Sequence, residues 1–269
     1  MSRNIKNMNL LKKNNIIVYI LILIIFIKFA EANTIFSPNE IPNIDYVPLN
    51  EEVLDIENFN KIEVLQDNRF FILYAYDDFK LQKNIKCNKV NLNNIKQKID
   101  EIILELNKYK LSFFKDINFN YLVLCNNLYI NNFLTAGIPN NNVSTLIFDI
   151  SVDFEKISRS LHHEIFHMIK ADGDYKTFND EYSKINNSNH KYVDCSMCSN
   201  KFNTIFRNDI DGFVSEYGSS TLEEDQAEIF AAWMTLSNFD KFFENNVRVL
   251  NKQKILKKKF FKFLNYKND

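Results

Sequence analysis

Leu161-His162-His163-Glu164-Ile165-Phe166-His167-Met168 carries the pattern H-E-x-x-H at His163, Glu164 and His167. On a helix, residues four apart lie one above the other on the same face. Both imidazoles can then point at one metal ion, with Glu164 beside them to handle a proton. That is the residue set of zinc-assisted hydrolysis. So short a pattern also arises by chance, and the competing reading is an ordinary polar face of a solvated helix. The flanks predict the helix. Asp153 suits its N-cap, Glu155 its first turn and Gly173 its end. Phe154, Ile157, Leu161, Ile165 and Met168 form a core stripe, with His163 and His167 beside it. His162 has Phe166 four residues on, so it is expected to be structural or to support a ligand.

A catalytic zinc wants three protein ligands and one open position. One class of site takes a third His six residues after the second, behind a Gly. Here Gly173 stands in the place of that His and Lys170 in the place of that Gly, which excludes the class. His190 sits alone in a polar stretch and reads as a surface residue. The other source is a carboxylate from a later helix, and Glu223-Glu224-Asp225-Gln226-Ala227-Glu228 supplies it. Glu224 and Glu228 share a face. One can bind the metal while the other hydrogen-bonds a ligand imidazole and fixes its tautomer. A capping box competes: Thr221-x-x-Glu224 would turn Glu224 to the backbone, whereas Ser220-x-x-Glu223 would leave it free.

Residues 216–228, Glu-Tyr-Gly-Ser-Ser-Thr-Leu-Glu-Glu-Asp-Gln-Ala-Glu, resemble the corresponding stretch of the anthrax lethal factor group of gluzincin peptidases and of related zinc-binding peptidases of bacteria. There a Tyr-Gly pair precedes, by seven residues from the Tyr, the ligand Glu of an E-x-x-A-E sequence. Tyr217 stands seven residues before Glu224, and Glu224-Asp225-Gln226-Ala227-Glu228 fits. The resemblance covers about residues 130–240. It implies His163, His167 and Glu224 as ligands of Zn2+, Glu164 as general base and Tyr217 as the phenol that steadies the oxyanion, with Glu228 supporting an imidazole. Phe166 departs from the pattern, since the lethal factor carries Gly there. The implied fold is α+β: a zincin-like metallopeptidase domain with a twisted sheet, the H-E-x-x-H helix beneath it and a helical C-terminal half. The implied activity is endopeptidase cleavage of a peptide or protein.

Outside the motifs, the first 32 residues stand apart. A basic start (Arg3, Lys6, Lys12, Lys13) leads into the apolar run Ile16 to Ile27, and Ala30-Glu31-Ala32 fits a cleavage site. This is the pattern of a secretory signal peptide, predicting an exported protein, secreted or periplasmic. An uncleaved anchor is the alternative, but twelve apolar residues fall short of the roughly 20 that a bilayer core needs, so no stable span is expected after cleavage. Residues 33–269 keep 28 basic and 33 acidic side chains, a net charge of −5, which gives no electrostatic case for nucleic acid. An even set of four cysteines in an exported chain suggests disulfides, and we expect Cys87–Cys125 with Cys195–Cys198.

The domain is expected over 61–269, behind an extended arm at 33–60 spaced by Pro38, Pro42 and Pro48. Strands are predicted at 69–76 and 119–125, with an amphipathic helix over 91–108 between them. Two further strands, 132–138 and 145–150, are predicted with a turn at Pro139. The first is polar enough to be a sheet edge that can take a peptide as an added strand, though an ordinary hairpin reads equally well. A helix is expected near 177–184, a capped one from Ser220 or Thr221, and a lysine-rich one from Phe239 onward. Tyr182 and Tyr192 read as packing residues or walls of a cleft. Two other functions fit these residues: a zincin-fold binding or adhesion protein without turnover, and a toxin-like protease acting on host proteins. No motif encodes an oligomeric state.

Overall fold

The computed structural model describes residues 44–49, 70–75, 78–81, 85–141, 144–170, 175–193, 196 and 203–264. All of them fall in one compact unit, Ile41–Asp269. The expectations for the leader, for Gly173 and for Cys195 and Cys198 lie outside the described residues. In chain order the strands are β1 (Ile44–Leu49), β2 (Phe70–Ala75), β3 (Phe79–Leu81), β4 (Ile85–Asn88), β5 (Tyr121–Ile130), β6 (Phe133–Leu134), β7 (Gly137–Asn140) and β8 (Thr145–Asp149). The α-helices are α1 (Leu92–Leu106), α2 (Leu111–Asp116), α3 (Phe154–Lys170), α4 (Lys176–Ser183), α5 (Leu222–Thr235), α6 (Phe239–Phe242) and α7 (Val247–Phe260). None of them is long and apolar enough to cross a membrane.

β5 is the axis of the sheet. Its first half, with Leu122, Val123, Leu124 and Cys125 all buried, pairs in parallel with β2 on one side and β8 on the other. Strands buried on both faces read as continuous apolar runs, as these do. β1 adds in parallel outside β2, so part of the 33–60 segment is a sheet strand. β7 closes the other side antiparallel to β8. The second half of β5 continues as a ribbon with β4 and β6, and β3 pairs beyond β4. Cys87 of β4 and Cys125 of β5 form a disulfide across this ribbon, with Cα atoms 5.8 Å apart.

One expectation is corrected here. Pro139 lies inside β7 rather than in the turn, paired opposite Leu146. A proline has no N–H to give the ladder, and β7 tolerates it because, among the described residues, it pairs on one side only, with β8. The chain reverses instead after Asn140, with Ser144 at a positive φ of 54°.

The helical half packs around α3. Ile157, Leu161, Ile165 and Met168 are buried, as the periodicity requires, and so are Phe166 and Ile169. Each such large side chain contributes about 1.5–3 kcal/mol on burial. α3 lies against α5, α1, β7 and β8. Phe166 sits between Phe230 of α5 and Phe260 of α7, with ring centroids 5.3 and 5.4 Å away. The bulky residue inside H-E-x-x-H thus fills the junction with the C-terminal helix.

Candidate metal centre

α3 and α5 bring the predicted residues together. His163 Nε2 and His167 Nε2 lie 3.2 Å apart. Glu224 Oε2 is 2.9 Å from the first and 3.5 Å from the second. Ligand atoms of these three residues all fall within 4.8 Å of one another. The capping question resolves in the same place. Thr221 caps α5 by accepting from the Glu224 N–H at 3.2 Å, while the Glu224 carboxylate turns to the histidines.

The donor set fits a cation. His163 Nδ1 donates to Glu228 Oε1 at 2.8 Å, which leaves the Nε2 lone pair for the cluster. Glu224 Oε2 is buried and has no hydrogen-bond partner, although two imidazoles face it. Lone pairs gathered this closely repel unless a proton or a metal ion sits among them. The electrostatics show the same demand. Burial alone would push His163 down, but the Glu224 and Glu228 carboxylates outweigh it and hold its pKa up at about 10. Burial would raise Glu224, and the neighbouring imidazoles reverse this and hold it well below the carboxylate range.

Glu164 is buried beside the cluster, and its pKa is raised by burial and by the Glu224 and Glu228 charges, against the two histidines. Gly137 of β7 presses on it: a Cβ at that position would stand 2.5 Å from Glu164 Cγ. Tyr217 opens a 3-10 turn, Tyr217–Ser219, with its ring centroid 5.8 Å from that of His163. Its hydroxyl is protonated over a wide range, because burial and the neighbouring charge of Glu224 raise its pKa.

Glu228 is fully buried and accepts from Arg159 as well as from His163, and Ser215 Oγ donates to it at 2.6 Å. Arg159 and Ser215 carry no motif, and their partner lies 69 and 13 residues away. His162 is structural: Tyr109 O–H donates to its Nδ1 at 2.6 Å and its Nε2 meets Glu105. His190 is half-buried between Phe213 and Tyr192 rather than on the open surface. Tyr182 and Tyr192 both donate to Asp225, which settles them as packing residues.

A family model described as "putative zinc-binding metallo-peptidase" matches residues 127–269, just over half of the chain. The chain belongs to that family. All the residues of the centre fall within the matched segment of this zinc-binding metallo-peptidase. A crystal structure of a putative zinc-binding metallo-peptidase from Bacteroides caccae is similar over 84% of this chain and 81% of its own, with 13% identity and a TM-score of 0.45. No curated protein matches the chain. Membership makes the protein a peptidase by family, with peptide or protein substrates.

Proposed function

We propose that the protein is an exported zinc-dependent endopeptidase of gluzincin type, with a zincin-like domain akin to that of the anthrax lethal factor group. The observation that carries this reading is the convergence of His163 Nε2, His167 Nε2 and a Glu224 oxygen, with Glu164 and Tyr217 beside them. His163, His167 and Glu224 would hold the zinc ion, which would supply Lewis acidity, enough to bring a water to a pKa of about 7 and to polarise a carbonyl. Glu164 takes the proton of that attacking water on its carboxylate and returns it to the nitrogen of the leaving amine. A base in a buried site, with its pKa raised, is suited to both transfers. Tyr217 donates its hydroxyl proton in a hydrogen bond to the tetrahedral oxygen. Glu228 orients His163 through Nδ1.

The substrate lies along β7. Among the described residues this strand pairs only with β8, and its Gly137 touches Glu164. A peptide added as the next strand would therefore pass the general base. Export rests on the leader pattern of the first 32 residues. The test is a peptide-library digest with the purified protein. Cleavage abolished by a chelator and restored by zinc supports the reading, and cleavage indifferent to the chelator removes it.

A further inference from the structure

Glu228 joins two parts of the site that function separately. Arg159 Nη2 straddles both of its carboxylate oxygens. His163 Nδ1 donates to Oε1 at 2.8 Å, and Ser215 Oγ donates to Oε2 at 2.6 Å. Ser215 Oγ in turn accepts the N–H of Gly218 at 3.0 Å. Gly218 follows Tyr217 directly. A Cβ there would come 3.3 Å from Glu228 Cβ and 3.4 Å from Ser215 Oγ, so the turn is seated tightly on the carboxylate stem.

The helices arrange this as two rungs. Arg159 precedes His163 by one turn of α3, and Glu224 precedes Glu228 by one turn of α5. Arg159 reaches Glu228 while His163 reaches Glu224. The last torsion of a glutamate is broad and roughly two-fold, so an unclamped carboxylate could present either oxygen at many angles. A guanidinium on both oxygens removes that freedom. Arg159 is itself held, with Phe206 against its guanidinium at 5.1 Å.

Building on the zinc-peptidase reading, we propose that Glu228 is a shared support, fixing the ligand His163 with the help of Arg159 and the turn that carries Tyr217 by way of Ser215. Arg159 and Ser215 are positioning residues with separable effects, one on metal affinity and the other on rate.

Zinc affinity by chelator competition, and steady-state kinetics at saturating zinc, read the two arms. Arg159→Met weakens zinc binding roughly 10- to 100-fold, and Arg159→Lys recovers part of the loss. In a Glu228→Gln background the Arg159→Met change adds no more than about twofold. Ser215→Ala keeps zinc affinity within about twofold and lowers kcat roughly tenfold, and in a Tyr217→Phe background it lowers kcat no more than about twofold. If Arg159→Met does not fold, Arg159→Lys carries the same cycle. A merely structural role would lower the melting temperature of the metal-free variants and leave both cycles additive. Additive cycles, or unchanged zinc affinity in both Arg159 variants, overturn the inference while the wild type still binds zinc and cleaves peptide. A wild type that binds no zinc overturns the peptidase reading along with it.

Discussion

Gly137 of the edge strand lies directly against the Glu164 side chain, closer than any larger residue could stand. The strand that we assign to the substrate and the residue that we assign as base are therefore in contact. Gly137→Ala would displace Glu164 without touching a ligand. Zinc content should stay at the wild-type level while kcat falls, by about a hundredfold for a shift of about 1 Å. Metal analysis beside steady-state kinetics checks this.

Glu224 and Glu228 differ in what they face. Glu224 Oε2 meets the two Nε2 atoms, and Glu228 meets Nδ1 of His163 on the outer side. Glu224→Ala should lose the metal from purified protein, while Glu228→Ala should bind it more weakly, by roughly 10- to 100-fold. Equilibrium dialysis of the two variants separates the roles, and the opposite order would exchange them.

The ligand candidates are legible in the sequence because one ion demands helical spacing within each contributing segment, as His163 and His167 show. The Tyr217–Glu224 interval adds a second local signal. Glu228 is legible as a support, from its four-residue interval to Glu224, but its partners Arg159 and Ser215 are not. Arg159 and Glu228 are 69 residues apart, and only the packing of α3 on α5 joins them. The need for glycine at 137 is set by a side chain from α3, Glu164, which no local pattern announces. β1 was hidden because its strand character comes from pairing with β2 rather than from its own pattern. Lys252 carried a faint signal: it occupies a core phase of α7 with Val249, Leu256 and Phe260.

Lys252 is buried and donates to Asp225 at 2.5 Å and to the Gly212 carbonyl at 2.6 Å. It ties α7 to α5 at the residue next to Glu224. Lys252→Met leaves the Asp225 charge buried without its cation and should cost about 3–5 kcal/mol. Lys252→Met with Asp225→Asn should cost less than the single change, because no unpaired charge remains. Urea unfolding of the metal-free proteins measures both.

Glu105 accepts from His162 Nε2 and from Lys108 Nζ at 2.6 Å, joining α1 to α3. Burial would raise its pKa, but His162 and Lys108 outweigh burial and hold it below the ordinary 4.5. The folded carboxylate thus binds a proton less readily than the unfolded one. Its stabilisation is fully present above the unfolded value of 4.5 and is lost as pH falls through the lower folded value. Glu105→Gln should therefore cost about 1–3 kcal/mol at neutral pH. The gap from wild type should narrow below about pH 4.5 in melting curves of the metal-free protein.

The most direct measurement is a zinc titration of metal-free protein, with bound zinc and peptide cleavage followed together in wild type and Glu164→Gln. The expected result is that cleavage by wild type rises with zinc and saturates at about one ion per chain, as a single three-ligand site requires. Glu164→Gln should bind the same ion and cleave nothing measurable. Cleavage by zinc-free protein, or by Glu164→Gln at the wild-type rate, would contradict the account.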